Sequence, residues 1–97
     1  MILERNARLG RYEIDIIAQE GDTVVFVEVK TRRDDRFAAP EENVTYEKRV
    51  RIRRAAQTYI TRRDEPGRYY RFDVVAVLLP EAGDAVINHY RDAFRDE

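Results

Sequence analysis

The fold is decided by residues 24–31, which have the sequence Val24-Val25-Phe26-Val27-Glu28-Val29-Lys30-Thr31. A run this rich in β-branched and aromatic residues predicts a β-strand. Residues two apart on a strand share a face, so Glu28 and Lys30 project together while the intervening valines project to the other side. A strand otherwise suited to burial therefore carries a carboxylate and an ammonium group side by side.

A second apolar segment, Tyr12 to Ala18, lies just upstream and contains Glu13 and Asp15. Between the two segments, Gly21-Asp22 favours a two-residue hairpin loop. That loop predicts Asp15 opposite Glu28 and Glu13 opposite Lys30, whereas a three-residue loop would shift every pair by one. The two-residue loop puts these four charged residues on one face with Ile17 and Phe26, and leaves the other face to Ile14, Ile16, Val25, Val27 and Val29.

Length and composition predict a single domain over residues 1–97. The chain is 43% hydrophobic and 38% charged, with a mean hydropathy of -0.67, but its apolar residues are grouped into periodic runs, which argues against disorder. It has no cysteine and a single histidine, His89. This composition excludes disulfides, thiolate metal sites and histidine-rich zinc clusters within one chain.

No apolar run is long enough for a membrane helix, and the first residues do not resemble a signal peptide, so we expect a cytoplasmic protein that is not bound to a membrane. The formal net charge is only -1, but residues 44–63 contain seven basic residues against one acidic residue. This charge segregation predicts one strongly basic element.

The remaining elements follow from turn signals and periodicity. Residues 2–5 predict a first strand before a turn around residues 8–10, and residues 32–43, including Pro40, predict a loop. Thr45 is a suitable N-cap for a helix that ends at residues 64–67, with Glu47 in its first turn. The helix has an apolar stripe of Ile52, Ala55, Ala56, Tyr59 and Ile60, and Lys48 lies on the same stripe.

Residues 71–79 are almost continuously apolar, which predicts a strand buried on both faces and parallel to a neighbour, since a helix crossover precedes it. Asp73 within it is expected to form a structural hydrogen bond or ion pair beside Arg71. Residues 85–90 predict a final edge strand in which His89 is an ordinary strand residue.

The four charged residues Glu13, Asp15, Glu28 and Lys30, which we call the charged corner, indicate the kind of chemistry that this face could perform. Two neighbouring carboxylates repel each other, and a divalent cation is the usual means of holding both ionised. Oxygen ligands favour Mg²⁺ or Mn²⁺ over zinc. A lysine beside such a cation suits phosphodiester hydrolysis, and an inward Lys48 on a basic helix suits a phosphate backbone.

Several spaced motifs resemble the YraN-like family, a bacterial group related to Holliday junction resolvases and restriction-endonuclease-like nucleases. The resemblance runs from about Ile2 to Tyr90. It is carried by Arg5-Asn6, Glu13-Ile14-Asp15-Ile16-Ile17-Ala18, Gly21-Asp22, Val25-Phe26-Val27-Glu28-Val29-Lys30-Thr31-Arg32, Val44-Thr45, Lys48 and Arg71-Phe72-Asp73-Val74-Val75-Ala76-Val77.

The resemblance implies an α/β domain of the α+β type with a restriction-endonuclease-like core: a mixed sheet with a three-strand antiparallel meander, a crossover helix, a buried strand and an edge strand. It also implies that Asp15, Glu28 and the Val29 carbonyl hold Mg²⁺ or Mn²⁺, that Lys30 is the catalytic lysine and that Glu13 is an accessory acid. Family members commonly have glycine where Tyr12 stands. They usually begin with a further helix that carries a candidate site glutamate, and this sequence begins at the first strand, so that helix is expected to be absent.

The predicted function is metal-dependent cleavage of DNA, with branched, Holliday-junction-like DNA as one candidate substrate. The predicted contacts to DNA are Lys48, Arg32, Arg49 and Arg51. Two alternatives stay open, namely a nucleic-acid-binding protein that keeps the nuclease scaffold without catalysis, and a self-associating structural module. A homo-oligomer is compatible with each of the three.

Overall fold

In the computed structural model, residues 1–33 and 45–93 are described, and they form one five-stranded mixed sheet with a single α-helix on one face. The strands are adjacent in chain order, with only β3 and β4 parallel. The predicted meander, crossover helix, parallel strand and edge strand are confirmed. The elements are β1 (Ile2–Leu9), β2 (Tyr12–Glu20), β3 (Thr23–Arg32), α1 (Tyr46–Arg63), β4 (Tyr69–Leu78) and β5 (Val86–Tyr90).

The β2–β3 hairpin has the predicted loop. Glu20 pairs with Thr23 across the loop, and the ladder continues without a shift to Ile16 opposite Val27. Gly21 adopts φ 60, a conformation that favours glycine because it has no Cβ. Beyond Val27 the ladder ends, so the predicted backbone pairs of Asp15 with Glu28 and of Glu13 with Lys30 are not formed.

β1 is longer than predicted. It continues to Leu9, and the turn to β2 lies at Gly10 and Arg11 rather than at residues 8–10. The reason is packing, because Ala7 and Leu9 are buried in the core and stay paired with β2. Within the strand Asn6 has φ 51, so the pleat is interrupted there.

The interruption in β1 explains one wrong prediction about β2. Asn6 falls opposite Asp15, between the pairs Arg5 with Ile16 and Ala7 with Ile14. Ile14 was predicted on the face opposite Ile17, yet both are fully buried in the same core cluster. Uninterrupted alternation cannot place residues three apart on one face, so the predicted sorting of side chains fails at Asp15.

The helix is capped as predicted. The Thr45 side chain accepts a hydrogen bond from the Lys48 N–H at 3.3 Å, and Glu47 lies in the first turn. At the other end Asp64 adopts the left-handed conformation and its N–H donates to the Ile60 carbonyl. The predicted stripe faces the sheet: Ile52, Ala55, Ala56 and Tyr59 are buried, and Ile60 packs against them.

Phe26 is the centre of the core on the helix side. Its ring lies 5.9 Å from that of Tyr59 in an edge-on arrangement, and 6.1 Å and 5.6 Å from the stacked rings of Tyr70 and Phe72. Since Glu28 lies two residues beyond Phe26 on β3, it projects from this same face toward the helix.

β4 is covered more completely on one face than on the other. Phe72, Val74 and Ala76 are buried, whereas Val75 and Val77 are only half-buried. The prediction of full burial on both faces is therefore wrong for these two valines, because β5 is short and α1 packs on the opposite face.

Asp73 is fully buried in β4 and joins the C-terminal part of the chain to the sheet. Its carboxylate accepts hydrogen bonds from Arg71 at 3.0 and 3.2 Å and from the Asp92 N–H at 2.9 Å, and lies 2.7 Å from His89 Nε2. The predicted ion pair with Arg71 is confirmed. His89 does more than an ordinary strand residue, since it ties β5 to this carboxylate.

One further prediction concerns the loop between β3 and α1, and another concerns membrane-spanning helices. Arg32, predicted as the first residue of a loop, is instead the last residue of β3. Except for Arg33, the rest of the predicted loop, with Pro40, lies outside the described residues, as does Val44 after it. Across residues 1–33 and 45–93, no helix has the length and apolar character needed to cross a membrane.

Candidate active site

The candidate site lies where β2 separates from β3. At the first position beyond the ladder, the Asp15 carboxylate takes the place of a backbone carbonyl and accepts a hydrogen bond from the Val29 N–H at 2.8 Å. Glu28 and Lys30 flank Val29 in β3. The contact therefore holds one carboxylate oxygen of Asp15 beside both of these residues. The predicted proximity of Asp15 to Glu28 is thus achieved through a side chain rather than through a backbone pair.

Glu28 is the most unusual group of the site. Its side chain is on the helix face and the residue is only 8% exposed. Its Oε1 has no hydrogen-bond partner among the described residues. Burial and the neighbouring Asp15 charge raise the pKa of Glu28 to about 7, against the opposing effects of Tyr12, Lys30 and Lys48.

Tyr12 belongs to this site, although the sequence did not single it out as a site residue. Burial and the adjacent Glu28 carboxylate, as both charge and hydrogen-bond partner, raise the pKa of the Tyr12 hydroxyl. The hydroxyl therefore stays protonated and serves as a donor to Glu28. The available signal was that Tyr12 stands where the family resemblance implies glycine.

Lys30 and Lys48 meet above the sheet. Burial and the neighbouring Lys48 lower the pKa of the Lys30 ammonium, while Glu28 opposes that shift. The N-capped first turn of α1 brings Lys48 beside Lys30. The residue is exposed there, whereas its place on the apolar stripe predicted an inward side chain. Two lysines near two carboxylates form a compact site with both signs of charge.

The site offers a cation two carboxylates. Among the residues that the structure describes, no cluster of three or more histidine, cysteine, aspartate or glutamate side chains is suited to a metal ion. A hard cation such as Mg²⁺ is nevertheless held by one or two carboxylates with water completing its shell. The orphaned Glu28 Oε1 and the oxygen character of both side chains fit such an ion.

The other predicted residues lie at different distances from the corner. Glu13 is exposed on β2 and pairs with Arg8 of β1, so the structure does not bring it to Lys30 through strand pairing. Arg32 is half-buried at the end of β3 and its charge acts on Lys30. Arg49 is half-buried on α1, whereas Arg51 is exposed and its charge acts on Tyr12.

Comparison with known proteins identifies relatives across almost the whole chain. Residues 1–77 match the model of a family described as Uncharacterised protein family UPF0102. The chain belongs to this family. The prediction of YraN-like membership is thereby confirmed.

The relatives are UPF0102 proteins of several bacteria. The UPF0102 protein of Geotalea daltonii is 46% identical over 93 residues, which cover 96% of this chain and 73% of the relative. The Nocardia farcinica protein is 45% identical with the same coverage, and that of Moorella thermoacetica is 51% identical over 80% of this chain and 65% of its own length. The matched residues thus span about two thirds to three quarters of the length of these relatives.

Proposed function

We propose that this UPF0102 protein is a metal-dependent nuclease that hydrolyses DNA phosphodiester bonds, with branched DNA among its substrates. The observation that carries the proposal is Glu28, a buried carboxyl with an orphaned oxygen, placed between Asp15 and two lysines. Burying such a group costs stability, and a bound cation would remove that cost. The three-strand meander, the crossover helix and the parallel β4 are compatible with a restriction-endonuclease-like core.

Asp15 and Glu28 would hold the cation, with the Val29 carbonyl as the main-chain ligand implied by the family resemblance. Asp15 is already oriented by the Val29 N–H, so its free oxygen needs no large rearrangement to act as a ligand. Mg²⁺ or Mn²⁺ would supply Lewis-acid activation of the phosphodiester and of the attacking water.

Lys30 is the residue best suited to the reacting phosphate. It projects from the same face as Glu28, and its lowered pKa reflects partial burial beside a second cation. In this role it orients the attacking water or stabilises negative charge that develops on the phosphate oxygens. Lys48 shares the second of these tasks, because it lies beside Lys30 at the start of the basic helix.

The backbone of the DNA would be held by basic residues around the corner. Lys48, Arg32, Arg49 and Arg51 belong to β3 and α1. Contacts of this kind are independent of sequence and weaken as salt is added.

The test is cleavage of a labelled four-way junction and a matched duplex with Mg²⁺, Mn²⁺ or EDTA. We expect Asp15→Asn and Lys30→Ala each to reduce metal-dependent cleavage by at least about a hundredfold, within the range typical of a positioned catalytic group. Asn at position 15 keeps an acceptor for the Val29 N–H, which separates loss of charge from loss of folding. Asp22→Asn is the matched control, since it makes the same change of charge as Asp15→Asn at an exposed position of the β2–β3 loop.

Undiminished cleavage by both Asp15→Asn and Lys30→Ala would refute this mechanism. A second candidate, nucleic-acid binding without catalysis, is favoured by the small number of carboxylates described at the site. It predicts salt-sensitive binding that is indifferent to EDTA and to Asp15→Asn, with no cleavage by the unaltered protein.

A further inference from the structure

A groove of about 470 Å³ lies beside the candidate site, between the β1–β2 hairpin and the helix; we call it the hairpin groove. The hairpin forms one wall and α1 forms the other. Its lining consists of Leu9, Gly10, Arg11, Tyr12, Arg51, Arg54, Ala55 and Thr58. The sequence predicted a binding role for Arg51 alone among these residues, because the hairpin residues lie far from the helix in the chain.

The charges in the hairpin groove are unbalanced. Within residues 1–33 and 45–93, none of Arg11, Arg51 and Arg54 forms an ion pair with a carboxylate. Four arginines elsewhere in the described chain do have acidic partners, namely Arg63, Arg68, Arg71 and Arg91. Three guanidinium groups around one concavity, none with a carboxylate partner in the described part of the chain, are complementary to a polyanion.

Tyr12 joins the hairpin groove to the candidate site. It lines the groove, its hydroxyl interacts with Glu28, and the charge of Arg51 acts on it from the helix side. A chain that lies in the groove therefore passes within reach of the carboxylates that would bind the cation.

We infer that the hairpin groove binds one unpaired nucleic-acid strand leading away from the proposed cleavage site, with phosphates on Arg11, Arg51 and Arg54 and a base against the Tyr12 ring. The inference rests on the proposed function, because that function supplies the reason for a strand to enter beside Glu28. Its own basis is the combination of arginines with an aromatic side chain in a walled groove. Single strands are bound in this way, through phosphates on basic groups and bases on aromatic rings.

The first test measures affinity for a fluorescein-labelled oligothymidylate by anisotropy in EDTA, so that neither the cation nor cleavage contributes. We expect Arg54→Gln to weaken binding roughly fivefold to tenfold at low salt and to reduce the slope of log affinity against log salt by about 0.7. Its control is Arg62→Gln, which makes the same change of charge at an exposed position of α1 outside the groove. On the hairpin, Arg11→Gln is compared with Arg8→Gln in the same way.

The second test locates the strand directly. An oligonucleotide that contains 5-iodouracil is irradiated with the protein, and the crosslinked residue is found by mass spectrometry. We expect the crosslink at Tyr12, retained in Tyr12→Phe and lost in Tyr12→Leu. The Phe variant also separates the ring from the hydroxyl that interacts with Glu28.

The possible results separate this inference from the proposed function. Equal binding by Arg54→Gln and Arg62→Gln, or a crosslink away from the hairpin groove, would overturn the groove while leaving cleavage intact. An equal loss of affinity for a matched duplex would overturn the assignment to an unpaired strand. Loss of self-association in Arg54→Gln without any loss of strand binding would assign the groove to a second copy. If all groove results are as expected and no cleavage occurs with Mg²⁺ or Mn²⁺, the proposed reaction fails and the strand site stands.

Discussion

Glu28 lowers the stability of the folded protein by an amount that depends on pH. With its pKa raised from 4.5 to about 7 by burial and Asp15, the native state keeps a proton that the unfolded chain releases. The stability of the fold therefore declines as pH rises from 4.5 to 7, and the full penalty is present above pH 7. We expect Glu28→Gln to raise the free energy of unfolding by about 2 kcal/mol at pH 8 and to change it little near pH 4.5.

The measurement is urea unfolding at several pH values in EDTA. Glu13→Gln serves as the control because Glu13 is exposed on β2. Addition of Mg²⁺ at pH 8 should stabilise the unaltered protein more than Glu28→Gln, since binding to the native state alone raises stability. If the free energy of unfolding changes with pH in the same way for the unaltered protein and for Glu28→Gln between pH 4.5 and 8, ionisation of Glu28 does not destabilise the fold.

Among the elements, β5 is held to the sheet in part by the buried carboxylate of Asp73 in β4. Burial would raise the pKa of Asp73, but hydrogen bonds from Arg71, the Asp92 N–H and His89 outweigh it and lower the pKa. The stabilisation that this lowered pKa supplies is thus present above pH 3.8, the ordinary value, and is lost as pH falls through the folded pKa. We expect Asp73→Asn to cost about 2 kcal/mol at neutral pH, with the difference narrowing in acid.

Hydrogen exchange would localise that loss. Amides of β5 should exchange faster in Asp73→Asn, while those in the β2–β3 hairpin keep their relative protection. Asp22→Asn is the control, because Asp22 is exposed and its contact with Arg68 is 4.0 Å long. Unchanged exchange in β5 would mean that the strand is held by its backbone pairing with β4 alone.

The elements also show how far the sequence predicts this fold. Local signals were sufficient for the Gly21-Asp22 loop, the Thr45 cap and the apolar stripe of α1, because each depends on residues close in the chain. The break at Asp15 was not predictable from alternation, since it depends on the conformation of Asn6 in another strand. The same holds for the hairpin groove, whose two walls are brought together only by the packing of α1.

For the candidate site, residue types and spacing predicted the proximity of Asp15, Glu28, Lys30 and Lys48. They did not predict how Asp15 reaches β3, because a side chain substitutes there for a backbone partner. Nor did they predict that Glu28 would be nearly buried, which follows from its projection toward α1 and from Tyr12.

At the scale of the molecule, the two edge strands of the described sheet, β1 and β5, differ. β1 carries charged residues and an irregular backbone, whereas β5 presents Val86 and Ile87 to solvent, the latter 65% exposed. An unprotected edge pairs with other strands, and charges prevent this. We expect Ile87→Lys to reduce any concentration-dependent self-association measured by sedimentation. Arg8→Gln on β1 is the control and should leave the association unchanged. Association that persists in Ile87→Lys would exclude β5 as the contact.

The hydrogen bond from the Val29 N–H to Asp15 has a consequence for how this protein can change over time. A chain that no longer needed chemistry at the corner would still need an acceptor at position 15, because an unpaired N–H where the two strands part would destabilise the sheet. Asparagine meets that need and alanine does not. A descendant that abandons the reaction should therefore keep aspartate or asparagine at position 15 even where Lys30 has been replaced. An inactive relative would be recognised by a lost lysine beside a retained aspartate or asparagine.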